Sequence, residues 1–157
     1  MTPPPLVIGI GNDFRHDDGA GRAVARRIRE LAGAAVRVIE ESGEGAALIE
    51  AWRGAGHVAV IDAVHSGARP GTVHRFDAHA APVPARFFHY STHAFSVAEA
   101  VELARALNQL PSRLIIHGIE GREFTAGEGL SPEVAAAVEQ VARTVIAEFS
   151  LRNDCRE

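Results

Sequence analysis

The chain has 157 residues, 46% of them apolar and 23% charged, which suffices for one compact domain with a sizeable core and is too short for two ordinary ones. A formal charge of -4 argues against a phosphate-tracking nucleic-acid binder or a polybasic membrane-surface module. All sixteen basic residues are Arg, so Schiff-base chemistry and a Walker lysine are excluded. The lone cysteine, Cys155, allows no intrachain disulfide, Cys zinc cage or Cys-x-x-Cys pair, and it suits a reducing, cytoplasmic setting. Met1-Thr2-Pro3-Pro4-Pro5 lacks the basic and apolar regions of a signal peptide, and no apolar run approaches membrane-span length.

Leu6-Val7-Ile8-Gly9-Ile10 is a short, continuous apolar run that reads as a strand buried on both faces. From Gly19 to Ala32, Val24, Ala25, Ile28 and Leu31 recur at helical spacing, with Arg22, Arg26, Arg29 and Glu30 facing solvent, and Gly33 stops the pattern. Val36–Ile39 gives a second strand, Ala46–Trp52 a second helix and His57–Ala63 a third strand, an order that implies parallel pairing with right-handed crossovers. The seven residues from Val64 to Pro70 are too few for a parallel crossover, so Gly71–Phe76 is expected to run antiparallel to the strand before it. Residues 77–92 show no period and read as an unusually long, functional loop. Ser96-Val97-Ala98-Glu99 is a capping box opening a helix through Val101, Leu103 and Leu107. Arg113–Ile119 is a fifth strand, and Ser131-Pro132-Glu133 caps a last helix buried through Val134, Val138, Val141, Val145 and Phe149. Residues 1–150 form a single domain and residues 151–157 a polar tail.

Gly9-Ile10-Gly11-Asn12 follows a strand, but the third glycine of a dinucleotide loop would fall at Phe14, so the glycines read as a tight exit from a central strand. Asp17 and Asp18 precede the first helix. Both cannot cap it, and one is expected to point into the crevice at the carboxyl ends of the strands. Asp62 ends an apolar run, where a carboxylate is costly unless paired, hydrogen-bonded or metal-bound. His93 closes the long loop just before a helix cap, whereas His65, His74, His79, His89 and His117 suggest no assignment. Two carboxylates and an imidazole from separate segments fit an open, hydrolytic site for a first-row divalent metal.

These residues also carry a resemblance. Gly9-Ile10-Gly11-Asn12, Asp17-Asp18-Gly19-Ala20-Gly21, Ile61-Asp62-Ala63, Ser91-Thr92-His93 leading into Ala98-Glu99, Gly118-Ile119-Glu120 and Gly129-Leu130-Ser131-Pro132 resemble, in order, the hydrogenase maturation endopeptidases. The resemblance implies an α/β fold: a three-layer α/β/α sandwich of phosphorylase/hydrolase-like type, with a mixed five-stranded sheet and one antiparallel strand. It implies removal of a short C-terminal extension from the large-subunit precursor of a nickel-iron hydrogenase once nickel is installed. Asp18, Asp62 and His93 match the family's nickel-contacting positions, with the nickel supplied by the substrate and another divalent metal able to take its place in vitro. The family often has Glu at the position of Asp18, and Asp-Gly-Gly-Thr where this chain reads Glu40-Glu41-Ser42-Gly43-Glu44-Gly45. Two alternatives remain at this point: a non-cleaving, nickel-sensing chaperone of the same precursor, and a peptidyl-tRNA hydrolase-like esterase, which shares the Gly-x-Gly-Asn start but calls for a basic cleft.

Overall fold

The computed structural model describes residues 3–88 and 96–154. Five strands form one sheet: β1 (Leu6–Ile10), β2 (Arg37–Glu41), β3 (His57–Val64), β4 (Val73–Asp77) and β5 (Arg113–Glu120). Helices α1 (Ala20–Ala32), α2 (Gly45–Trp52), α3 (Val97–Ala106) and α4 (Pro132–Asp154) cover it. The strand order is β2-β1-β3-β5-β4, parallel throughout except for β4, which pairs antiparallel with β5. The short connection after β3 therefore does reverse the chain, but β5 inserts between β3 and β4.

Strand alternation sorts the core into two layers. Leu6, Ile8, Val58, Val60, Leu114 and Ile116 pack with Leu48, Trp52, Val101 and Ala104 of α2 and α3. Val7, Ala59, Ile61 and Ile119 pack on the other face with Val24, Ile28, Val134, Val141 and Val145 of α1 and α4. This is the expected three-layer sandwich. No described helix is long and apolar enough to cross a membrane.

Local details refine the sequence reading. Leu31 lies exposed near the end of α1, and Leu103 and Leu107 lie exposed because Val97, Ala98, Ala100, Val101 and Ala104 make the buried face of α3. The reciprocal arm of the capping box is present, Ser96 N–H donating to Glu99 Oε2 at 3.0 Å. Glu44 caps α2 by accepting from the N–H groups of Ala46 and Ala47, both at 3.1 Å. The arginines of α1 do not simply face solvent: Glu40 on β2 receives Arg26 at 2.8 Å, Arg29 at 3.3 Å and Arg22 at 3.7 Å. The Glu40 carboxylate is thus neutralised by three arginines of α1.

Candidate active site

In a sheet ordered 2-1-3, the chain leaves β1 toward one side and β3 lies on the other, so a crevice opens at the carboxyl ends of β1 and β3. Two glycines shape it. A Cβ on Gly21 would collide with the carbonyl oxygens of Ile10 and Ile61, so only glycine lets the start of α1 sit directly over these two strand ends. Gly11, with φ at +148°, passes against the Asp18 carbonyl, where a side chain would not fit. The turn His16–Gly19 thereby brings Asp18 to the crevice.

Asp18 and Asp62 line this cleft together, in a cavity of about 240 Å³ walled by Asn12, Phe14, Arg22, Gly43, Phe88 and Ser96. Asp18 Oδ2 accepts the backbone N–H of Asn12 at 2.9 Å. Asp62 is 8% exposed. Burial, then the negative charge of Asp18, push its carboxyl well above the ordinary aspartate range, against a smaller opposing effect of the Ala63 N–H. Arg22 stands in the same wall, its Nε donating to the Gly11 carbonyl at 2.7 Å.

Two of the three residues picked out from the sequence therefore share one cleft, while His93 lies outside the described residues. Among the described residues no group of three or more His, Cys, Asp and Glu side chains is arranged to hold a metal ion. The pair itself suits a cation: two oxygen-donor carboxylates compete for one partly desolvated space, and a positive charge between them would relieve both burial and repulsion.

Asp17 takes a different part. Fully buried, it caps no helix; its Oδ1 accepts Ser131 N–H at 2.7 Å, and its Oδ2 accepts Arg122 N–H at 2.8 Å, Glu123 N–H at 3.0 Å and the Ser131 hydroxyl at 2.8 Å. Burial raises its carboxyl, but these donors outweigh burial and leave it below the usual range. Ser131, expected to cap the last helix, stands at its start, its carbonyl accepting Ala135 N–H at 2.9 Å while its hydroxyl donates to Asp17.

Glu120, 1% exposed at the end of β5, was assigned no role from the sequence. It accepts Ser66 N–H at 2.8 Å and the Ser66 hydroxyl at 2.5 Å, and meets His74 Nε2 at 3.2 Å. Its position after Leu114–Ile119 gives the same signal that picked out Asp62: a carboxylate closing an apolar run. The His74 ring packs on Phe87 at 4.9 Å, so this cluster anchors the Ala85–Phe88 turn whose last residue walls the cleft.

Residues 22–148 match the HycI family model, described as hydrogenase maturation protease. The chain belongs to the hydrogenase maturation protease family. The matched segment includes Asp62 and begins after Asp18, so Asp18 enters the site through the geometry of the cleft. The hydrogenase expression/formation protein HupD of Thiocapsa roseopersicina is 29% identical over 155 residues, covering 95% of this chain and 70% of that protein. HupD of Rhodobacter capsulatus is 27% identical over 147 residues, covering 92% and 70%. Among solved structures, the hydrogenase maturating endopeptidase HybD from E. coli superposes with a TM-score of 0.79 at 22% identity, covering 97% of this chain and 94% of that one. The maturation protease HycI from Thermococcus kodakarensis gives 0.68 at 26%, covering 93% and 91%. Membership in the maturation protease family favours peptide hydrolysis over the esterase alternative.

Proposed function

We propose that this maturation protease removes a short C-terminal extension from the nickel-loaded large-subunit precursor of a nickel-iron hydrogenase. The observation that carries the reading is the placement of Asp18 and Asp62 in one cleft, with the Asp62 carboxyl pushed up by burial and by its neighbour's charge. Nickel belongs to the substrate, held by the precursor's thiolates and contacted by Asp18, Asp62 and His93; another divalent metal can take its place in vitro. Such a metal polarises a peptide carbonyl and holds the scissile bond in register.

The chain's own residues then supply proton transfer. A general base must lie within hydrogen-bond reach of the water that it deprotonates, and Asp62 lines the cleft in which the scissile bond would lie. Asp62 takes a proton from the attacking water as the new C–O bond forms, and returns it to the amide nitrogen as the C–N bond breaks. Asp18, fixed by the Asn12 N–H, supplies the neighbouring negative charge. A cytoplasmic setting, expected from the single cysteine, suits this substrate.

Incubating the purified protein with nickel-loaded precursor and weighing the products tests the reading. A precursor lighter by one C-terminal peptide is expected. A stable complex of unchanged mass would turn the protein into a nickel-sensing chaperone, and efficient cutting of a metal-free precursor with chelator present would remove nickel from the account.

A further inference from the structure

Phe14 is 66% exposed, the most exposed large apolar side chain among the described residues, and it stands at the rim of the cleft that holds Asp18 and Asp62. Single apolar residues on a surface usually mean little, and Leu31, Leu103 and Leu107 are of that kind. Phe14 differs because its backbone is held from both sides. Its N–H donates to Asn12 Oδ1 at 2.9 Å, and its carbonyl accepts the Gly127 N–H at 2.9 Å. The next residues are tied as firmly: His16 N–H donates to the Gly127 carbonyl at 2.8 Å, and Arg15 Nε to the Phe124 carbonyl at 3.2 Å. On the other side Asp13 is gripped by both terminal nitrogens of Arg26, at 2.5 and 3.1 Å. The loop spends six hydrogen bonds on presenting an aromatic ring to solvent, which is the preorganisation a docking contact needs.

The ring also separates two depressions. On one side lies the carboxylate cleft; on the other lies a groove of about 400 Å³ lined by His16, Ala23, Gly129 and Leu130, and Asp13 and Phe14 belong to both walls. A peptide with its scissile bond at the carboxylates and its chain continuing into this groove must cross Phe14. Within the cleft Ile10, Phe88 and Val97 are buried, so Phe14 is the apolar side chain of its wall that stands out to meet an incoming chain.

We propose that Phe14 is a specificity-determining docking contact for the precursor: it receives an apolar side chain a few residues from the scissile bond and directs the chain between cleft and groove. The proposal rests on the protease reading given above. Its occupant is the precursor polypeptide, because the ring is continuous with the cleft where that chain would be cut.

Steady-state cleavage of nickel-loaded precursor by the full chain and its Phe14→Ala and Phe14→Leu variants tests it. Loss of one buried aromatic contact predicts KM about 10-fold higher for Phe14→Ala, with kcat within about twofold of the parent and Phe14→Leu in between. Thermal unfolding of Phe14→Ala should match the parent, since the side chain belongs to neither layer of the core. Changing to Ser, one at a time, the apolar precursor residues that flank the scissile bond should reproduce the loss in the parent at one position and add nothing in Phe14→Ala; fully additive losses at every position would overturn the proposal. So would an unchanged KM. If the parent itself does not cut, the protease reading falls instead, and precursor binding by the same variants still decides the role of Phe14: about 10-fold weaker capture by Phe14→Ala upholds it, equal capture overturns it.

Discussion

Asp17 and Asp18 are neighbours in the chain with opposed surroundings: the Asp17 carboxylate turns inward onto four donors from residues 122–131, while that of Asp18 lines the cleft beside Asp62. The first ties the turn before α1 to the segment between β5 and α4, and so fixes where the second can point. One acid builds the scaffold and the other belongs to the site. Substituting each in turn should separate stability from activity.

Asp17→Asn should destabilise the fold by about 3 kcal/mol, or about 6–12 °C in Tm, because an amide offers N–H groups where the site supplies only donors. The pH profile gives a second check. A carboxyl held below its unfolded value contributes stability that is present above the unfolded pKa and is lost as pH falls through the folded one. The acid limb of the stability profile should therefore be shallower in the variant, as measured by denaturant unfolding across the acidic range.

Asp62→Asn should act in the opposite sense. A buried carboxyl raised by desolvation and by Asp18 contributes stability below its unfolded pKa and loses it as pH rises through the folded pKa. The amide removes that penalty, so at neutral pH the variant should melt higher, by about 2–4 °C for each kcal/mol recovered. Processing should fall by about 100- to 10,000-fold, the usual contribution of a positioned base. A variant that melts lower while retaining activity would show that Asp62 serves the fold.

Free protein should bind nickel weakly, since the described cleft offers two carboxylates and a metal must displace whatever proton Asp62 carries. Affinity should therefore tighten as pH rises, and Asp18→Asn should weaken it further. Calorimetry at mildly acidic and mildly alkaline pH measures both; tight, pH-independent binding would argue for a resident metal in place of one brought by the substrate.

The sequence makes Asp62 legible because a carboxylate at the end of an apolar strand has few inexpensive explanations, and the reversal after β3 legible because seven residues cannot make a parallel crossover. Glu120 gave the same signal as Asp62, yet its partners Ser66 and His74 come from the segment after β3 and from β4, and no local pattern announces a meeting that β5 creates by inserting between β3 and β4. Arg22 reads as solvent-facing from helical period alone; only the close approach permitted by Gly21 puts it in the cleft wall. Exposure of Leu103 and Leu107 was hidden for a related reason, since period locates a stripe and says nothing of which side a close-packed layer selects.

His117 supplies the last prediction. It sits in the middle of β5, 1% exposed, and strand alternation turns it with Ile119 toward the α1–α4 layer. Its Nε2 has no hydrogen-bond partner among the described residues. Burial drives its pKa down to about 4; Glu148 on α4 works against that shift and Arg75 on β4, itself 2.9 Å from Glu148, adds to it. A histidine depressed in this way is neutral in the folded state throughout the mildly acidic range, whereas the unfolded chain takes up a proton near the ordinary value of about 6.5. Stability tied to His117 is thus complete above the unfolded pKa and drains away as pH falls toward the folded value of about 4. His117→Leu, similar in volume and without a buried nitrogen to satisfy, should flatten the stability profile between about pH 6.5 and about pH 4 while leaving neutral-pH activity unchanged, because the residue lies outside the cleft. An unaltered slope in urea unfolding over that window would assign the acid sensitivity to the carboxylates instead.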